Sequence, residues 1–177
     1  VSCIGISIDS LLTNTNIKIG RCSCNRIISI SDLIKQSDAI HESNIDLKIN
    51  TVVSKLNIDE DLSPLYTALN PRKIKLFQMH LVDGINDKAK PLKISESEFE
   101  EFCNRHKVFQ SIIIAERSGS MENSYLMINP EGVFQLNNHG TYQPFGSLKS
   151  TSLFEILKEV PMDCKKFESR YIKEVRT

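Results

Sequence analysis

The first half of the chain alternates short apolar stretches with amphipathic ones. The apolar stretches are rich in β-branched residues, which predicts strands at residues 1–8, 45–53 and 73–82. Helical spacing of apolar residues predicts helices at residues 31–41 and 59–69. Ser31 or Asp32 is expected to cap the first helix, and residues 9–20 read as a polar loop. Strands that alternate with helices are typical of a parallel sheet or a βα barrel.

The second half of the chain has a different pattern. Ser95 and Glu98 match a capping box and predict the start of a helix. Further strands are predicted at residues 108–115, 124–128 and 133–136, and a last helix at residues 152–160. The sequence Asn129-Pro-Glu-Gly132 favours a type I turn, so the two strands around it are expected to pair antiparallel.

These two patterns predict two parts. Residues 1–84 form the βα part, and residues 85–177 form a mixed α+β part. The chain opens at Val1 directly in an apolar stretch without a preceding loop or cap, which indicates a piece of a longer protein.

Composition excludes several classes of function. Lys and Arg together number 22, as do Asp and Glu, so no excess charge favours nucleic acid or a membrane surface as a partner. No apolar run approaches the roughly 20 residues of a membrane span. The five cysteines are odd in number and irregularly spaced, which favours a reducing cytoplasm over a disulfide framework. Cys22-Ser-Cys24 is too closely spaced for the usual zinc motif, and no metal site is predicted.

Polar residues interrupt two of the predicted strands. Lys48 and Asn50 are two residues apart and project from one face, and Lys73 and Lys75 do the same on the next strand. If this face lines the dry interior of a barrel, the lysines need a negatively charged partner such as a phosphate chain. The alternative is that the lysines lie at strand ends in solvent.

Seven stretches resemble, in order, the viperin-like radical S-adenosylmethionine (SAM) enzymes. The stretches are Ile6-Ser-Ile-Asp-Ser10, Ile19-Gly-Arg21, Lys48-Ile-Asn50, Ala68-Leu-Asn-Pro71, Lys75-Leu-Phe-Gln78, Phe99-Glu-Glu-Phe-Cys-Asn-Arg-His-Lys107 and Asn123-Ser-Tyr-Leu126. The resemblance covers residues 1 to about 137 and is loose beyond them.

This resemblance implies a fold. Residues 1–84 would be the C-terminal strands and helices of a partial (βα)6 radical SAM barrel, beginning at about its fourth strand. Residues 85–177 would be a C-terminal α+β extension that caps the active site. The family's C-x3-C-x2-C loop, which binds a [4Fe–4S] cluster, has no counterpart among the five cysteines, so the cluster ligands are expected upstream of this chain.

The resemblance also implies roles for particular residues. Ser7, Arg21 and Asn50 would bind SAM, with the Arg21 guanidinium on its carboxylate. Lys48, Lys73 and Lys75 would bind the phosphates of a nucleoside triphosphate. The family often has Arg where this chain has Lys73, and lysine keeps the charge but loses bidentate recognition.

Two further residues would be catalytic by the same resemblance. Tyr125 corresponds to a tyrosine near the substrate ribose, and Glu116 to a glutamate in the preceding loop. The alternative for Tyr125 is an ordinary half-buried strand tyrosine.

The resemblance also implies an antiviral activity. In the family, reductive cleavage of SAM gives a radical that takes the ribose 4′ hydrogen of CTP, or of UTP or GTP. Loss of the 3′ hydroxyl as water and one-electron reduction then give the 3′-deoxy-3′,4′-didehydro nucleotide. An electron donor such as flavodoxin or ferredoxin is implied, in the cytoplasm. Two alternatives stay open: a radical SAM relative with another substrate, and a non-catalytic nucleotide-binding protein.

Overall fold

Four parallel strands form the larger sheet of the computed structural model, which describes residues 1–22, 26–138 and 140–169. The strands are β1 (Cys3–Ser7), β2 (Asp46–Val53), β3 (Lys73–Gln78) and β4 (Ile113–Glu116), paired in the order β1-β2-β3-β4. The predicted α/β class with a parallel sheet is confirmed. The third strand ends at Gln78, four residues earlier than the predicted limit of residue 82.

Four α-helices accompany this sheet. They are α1 (Thr13–Ile19), α2 (Ile30–Glu42), α3 (Ser63–Leu69) and α4 (Glu96–Arg105). The capping box of α4 is confirmed, since the Ser95 hydroxyl accepts from the Glu98 N–H and the Glu98 carboxylate accepts from the Ser95 N–H. Helix α2 is capped by Ser29 rather than by Ser31 or Asp32.

Helix α1 corrects the predicted polar loop at residues 9–20. Its first turn has no side-chain cap, and Gly20 ends it in the left-handed conformation with φ of 86°. The Asn16 side chain donates to the Ser10 carbonyl at 2.9 Å, and Thr15 and Asn16 are buried. Tertiary contacts therefore stabilise a helix whose Thr- and Asn-rich sequence has low helix propensity.

The hydrophobic core lies on one face of the parallel sheet. Leu47, Ile49 and Val53 of β2 are buried at alternate positions and point into it, together with Ile74 and Leu76 of β3. The core also contains two fully buried phenylalanines of α4, Phe99 and Phe102. The helices thus cover this face, which also carries the buried Thr51 and Gln78. The lysines and Asn50 of β2 and β3 project from the other face.

His106 explains part of the motif at residues 99–107. Its Nε2 accepts the Leu62 backbone N–H at 2.9 Å, so the ring proton lies on Nδ1, which donates to the Phe102 carbonyl at 2.8 Å. The side chain is fully buried, and this burial lowers the pKa of His106. The neutral imidazole therefore links α4 to the start of α3.

The remaining strands form a separate antiparallel sheet. It consists of β5 (Leu126–Ile128), β6 (Val133–Asn138) and β7 (Thr141–Ser147) in that order. The turn between β5 and β6 is confirmed, because Gly132 N–H donates to the Asn129 carbonyl at 2.9 Å. Helices α5 (Ser118–Met121), α6 (Leu153–Glu159) and α7 (Cys164–Ser169) belong to this region. Strand β7 and helix α7 were not predicted from the sequence.

The chain divides into two compact units. The first contains Val1–Met79 and Pro91–Glu116, and the second contains His80–Lys90 and the chain from Arg117 onward. Residues 91–116 belong to the first unit because β4 pairs with β3 and α4 enters its core. The role of residues 85–177 as an extension that caps an active site stays a prediction. None of the described helices is long and apolar enough to cross a membrane.

Candidate functional site

Polar side chains share the face of the parallel sheet that is opposite the core. Residues in register on neighbouring parallel strands project to the same side. The pairs in register are Ser7 with Asn50, Asn50 with Lys75, Lys48 with Lys73, and Phe77 with Glu116. This register brings six of the eight residues predicted as site residues onto one surface. We call the set of Ser7, Lys48, Asn50, Lys73, Lys75 and Glu116 the polar face.

Burial of the polar face increases from β1 to β4. Ser7 is exposed, Lys48, Asn50 and Lys73 are half-buried, and Lys75 and Glu116 are buried. The predicted shared faces of Lys48 with Asn50 and of Lys73 with Lys75 are confirmed. The alternative of lysines in open solvent is wrong for Lys75, whose side chain is 8% exposed.

A glycine makes room for two members of the polar face. A Cβ atom placed on Gly5 of β1 would lie 3.1 Å from Lys48 Cε and 3.4 Å from Asn50 Nδ2. Both side chains therefore lie against the Gly5 backbone, toward β1. The same added Cβ would lie 3.7 Å from Lys48 Nζ. The Lys48 ammonium is therefore close to β1, the strand that carries Ser7.

Lys75 has a protein partner for its charge. Its Nζ lies 2.8 Å from Glu116 Oε1, and the Glu116 side chain is 1% exposed. The ammonium also lies 5.9 Å from the centre of the Phe77 ring. The pairing stabilises both charges in a position with little access to water, where an ion without a partner would be costly. The sequence pattern predicts a phosphate as the partner, and the family resemblance implies a separate catalytic role for Glu116.

A groove of about 840 Å³ lies beside the β1 edge of the sheet. The end of β1, helix α1 and the beginning of α2 line it, with Ser7, Asp9, Arg21 and Arg26 as polar groups and isoleucines such as Ile28 as apolar ones. We call it the β1 groove. It brings together Ser7 and Arg21, two of the three residues predicted to bind SAM. Asn50 lies on the polar face, in register with Ser7.

Arg21 is held by a buried carboxylate. Its Nε lies 2.5 Å from Asp9 Oδ2, and the Asp9 side chain is 1% exposed while that of Arg21 is 42% exposed. The other carboxylate oxygen of Asp9 accepts the Val52 backbone N–H at 2.7 Å. No role for Asp9 is predicted from the sequence. One feature of the sequence does indicate a paired Asp9: it is an acidic residue at the end of an apolar strand, where burial of a carboxylate without a partner would be costly.

The described cysteines are dispersed. Cys3 and Cys164 are exposed, Cys22 and Cys103 are half-buried, and Cys24 of the Cys22-Ser-Cys24 motif lies outside the described residues. Among residues 1–22, 26–138 and 140–169, no three His, Cys, Asp or Glu side chains come together in a way that would hold a metal ion.

Comparison with known proteins identifies relatives of the chain. No protein-family model matches it. It is 37% identical over 173 residues to an S-adenosylmethionine-dependent nucleotide dehydratase of Psychrobacter lutiphocae, and 37% identical over 172 residues to one of Flammeovirga pacifica. It is 31% identical over 173 residues to the S-adenosylmethionine-dependent nucleotide dehydratase RSAD2 of Danio rerio. These alignments cover 95%, 94% and 94% of the chain, respectively.

The chain is a homologue of the viperin-like S-adenosylmethionine-dependent nucleotide dehydratases.

This homology confirms the family that the seven colinear stretches indicated. It extends further along the chain than those stretches, which become loose after about residue 137, since the alignments span nearly the whole sequence. The chain spans 56%, 58% and 48% of the length of the three dehydratases named above.

Tyr125 is the predicted site residue that belongs to the second unit of this dehydratase homologue. It is half-buried and directly precedes β5. The same unit contains a hydrogen-bonded group in which His80 Nδ1 lies 2.6 Å from the Ser118 hydroxyl and His80 Nε2 lies 2.7 Å from the Asn137 amide nitrogen. A catalytic role for Tyr125 stays a prediction.

Proposed function

We propose that this chain is the C-terminal part of a radical SAM enzyme that removes water from a nucleoside triphosphate, CTP or alternatively UTP or GTP. The product would be the 3′-deoxy-3′,4′-didehydro nucleotide, made for antiviral defence. The observation that carries the proposal is the polar face, in which three lysines converge on one side of a parallel sheet in a homologue of nucleotide dehydratases.

The proposal includes the barrel. Strands β1, β2 and β3 would be the fourth, fifth and sixth strands of a partial (βα)6 barrel, with the polar face toward its interior and the helices outside. The position of the core on the opposite face supports this arrangement. Residues 85–177 would then be the α+β extension, whose strand β4 continues the same sheet by pairing with β3.

The triphosphate would bind to Lys48, Lys73 and Lys75. Lys48 and Lys73 are in register on adjacent strands, and neighbouring parallel strands lie about 4.8 Å apart, a spacing that suits two ammonium groups on one phosphate chain. Lys75 already has Glu116 as a partner, so the pair carries no net charge, and Lys75 would contribute an N–H donor to the phosphate at the buried end of this row. A lysine at position 73 contributes a point charge rather than a bidentate fork.

The SAM site would lie in the β1 groove. Its donor set suits SAM, because the Ser7 hydroxyl and the Arg21 guanidinium can bind the amino-acid part while isoleucines line the apolar part. Asn50, in register with Ser7, would complete the contacts from the polar face. Bound SAM and a reduced [4Fe–4S] cluster supply the radical chemistry in this family. The ligands of that cluster, and the site for a flavodoxin or ferredoxin, would belong to sequence outside this chain, in a cytoplasmic enzyme.

Glu116 and Tyr125 would act around the ribose. The pairing of Glu116 with Lys75 supports a role in fixing the lysine beside the triphosphate, in addition to the catalytic role that the family implies. Tyr125 would donate or relay hydrogen at the ribose through its phenol.

Lys48→Ala in the full-length protein tests the triphosphate site. Lys48 is half-buried and outside the Lys75–Glu116 pair, so its loss should leave the fold intact. A charge-assisted contact contributes about 1.5–3 kcal/mol, so calorimetric titration with CTP, UTP and GTP should show roughly ten- to a hundredfold weaker binding of the preferred triphosphate.

Lys35→Ala is the matched control for this experiment. Lys35 is an exposed lysine of α2, the helix that packs on the core face of the sheet, and its pairing with Asp32 is a weak surface contact. The Lys35→Ala variant should bind triphosphate as tightly as the parent protein does. If Lys48→Ala also binds every triphosphate as tightly as the parent, the polar face is not the phosphate site.

A further inference from the structure

Asp9 is held in place through both its carboxylate and the backbone around it. Asp9 Oδ1 accepts the Val52 N–H at 2.7 Å, and the Asp9 carbonyl accepts the Asn57 side-chain amide at 2.6 Å. One residue earlier, the Ile8 carbonyl accepts the Thr51 hydroxyl at 2.7 Å. These bonds tie the end of β1 to the end of β2, so the Asp9 carboxylate has a defined position relative to the sheet.

This fixed carboxylate sets the orientation of Arg21. Arg21 donates to Asp9 through its Nε, which lies 2.5 Å from Asp9 Oδ2. The Nε–H group points along one edge of the planar guanidinium. With Nε occupied, the two Nη groups provide the pair of parallel N–H donors that matches a carboxylate. Arg21 follows Gly20, the left-handed end of α1, and lines the β1 groove while 42% of its side chain stays exposed.

Asp9 therefore differs from an exposed carboxylate that pairs with a surface arginine, because its own position is fixed. Its burial and its bond to the Val52 N–H restrict its position, and the Arg21 guanidinium offsets the cost of burying its charge. A flexible arginine side chain loses considerable rotamer freedom when it binds a ligand, and prior fixation of its guanidinium removes part of that loss.

We propose that Asp9 is a positioning residue for SAM: it holds the Arg21 guanidinium so that the Nη edge receives the carboxylate of the amino-acid part. This inference rests on the proposed SAM site in the β1 groove. Asp9 reaches the ligand through Arg21 and does not touch it.

Two ligands distinguish this role from a purely structural one. S-adenosylhomocysteine carries the amino-acid carboxylate, and 5′-methylthioadenosine shares the adenosine and sulfur but lacks the amino-acid part. In calorimetric titrations of the full-length protein, Asp9→Asn should weaken S-adenosylhomocysteine by about tenfold or more and change methylthioadenosine by less than about twofold. The asparagine can still accept the Val52 N–H, but it loses the charge, and its amide N–H faces the Arg21 N–H.

A double-mutant cycle with Arg21→Ala adds a second measurement. If Asp9 acts through Arg21, adding Asp9→Asn to Arg21→Ala should weaken S-adenosylhomocysteine by less than about twofold further. Independent, additive losses would overturn the inference. Equal weakening of both ligands by Asp9→Asn would also overturn it and would assign Asp9 to the fold alone.

Arg21→Lys keeps the test decisive if Asp9→Asn does not fold. A lysine has one ammonium and cannot both contact Asp9 and present two parallel donors, so the preference for S-adenosylhomocysteine over methylthioadenosine should fall by about tenfold. An unchanged preference would overturn the inference. If the parent protein binds neither ligand, the proposed SAM site itself is wrong, which is a separate result.

Discussion

Lys75→Met should destabilise the parallel sheet strongly, because it leaves the Glu116 carboxylate buried without its lysine. The two side chains are 8% and 1% exposed and lie 2.8 Å apart. Removal of one partner from a buried ion pair typically lowers the free energy of unfolding by about 3–5 kcal/mol, whereas replacement of both by uncharged residues is often nearly neutral. The double variant Lys75→Met/Glu116→Gln should therefore recover much of the stability that Lys75→Met loses.

Hydrogen exchange of the full-length protein measures this effect locally. The readout is the exchange rate of backbone amides in peptides that contain β3, residues 73–78. A loss of about 3–5 kcal/mol corresponds to exchange that is faster by roughly a hundred- to several-thousandfold when opening of the sheet controls it. The double variant should exchange at least about tenfold more slowly than Lys75→Met.

Arg72→Ala is the control for loss of a nearby cation. Arg72 pairs with Asp46 at 3.3 Å, and both side chains are more than half exposed. Exposed pairs contribute about 1 kcal/mol or less, so exchange in β3 should change by less than about fivefold. The reasoning fails if Lys75→Met behaves like Arg72→Ala, or if the double variant is no more protected than Lys75→Met.

Three other variants test separate parts of the structure. Gly5→Val should weaken triphosphate binding about tenfold in calorimetry without removal of a charge, because its side chain occupies the space beside Lys48, 3.1 Å from Cε; binding equal to the parent would refute this contact. His106→Gln should flatten the pH dependence of thermal unfolding. Since burial lowers the pKa of His106, its contribution is present above about pH 6.5 and is lost as the pH falls through the folded-state pKa; an unchanged pH profile would contradict this. Ser95→Ala should lower the free energy of unfolding by about 1 kcal/mol through loss of the α4 cap, and urea titration would detect it.

The polar face could be predicted from local sequence. A strand with one buried face has a period of two, so Lys48 and Asn50 in an otherwise apolar stretch had to share the face opposite Leu47 and Ile49. Parallel pairing then followed from the intervening helix. These inferences need no contact between distant residues.

The charge partners of this face could not be predicted in the same way. Lys75 and Glu116 are 41 residues apart, and their contact depends on the register of β3 with β4. Asp9 pairs with Arg21 because α1 is a helix, and the sequence suggested a loop there. The Thr- and Asn-rich stretch forms this helix through buried tertiary contacts, which override its low propensity.

Strand β7 was missed for a related reason. Pro144 and Gly146 are unfavourable in strands, and a register irregularity at Phe134 and Gln135 accommodates the pairing with β6. Gly146 has φ of 146° and packs against Ile156, since an added Cβ would lie 3.1 Å from its Cγ1. Packing against α6 therefore stabilises an edge strand that local propensity disfavours.

The most direct test of the proposed function is mass spectrometry of CTP, UTP and GTP after anaerobic incubation with the full-length protein, SAM and dithionite. The iron–sulfur spectrum of the preparation and the release of 5′-deoxyadenosine serve as internal controls. We expect one triphosphate to lose the mass of one water molecule in step with 5′-deoxyadenosine, and Lys48→Ala to require a higher concentration of that triphosphate. If SAM is cleaved and all three triphosphates remain intact, the chain does not belong to a dehydratase of these nucleotides.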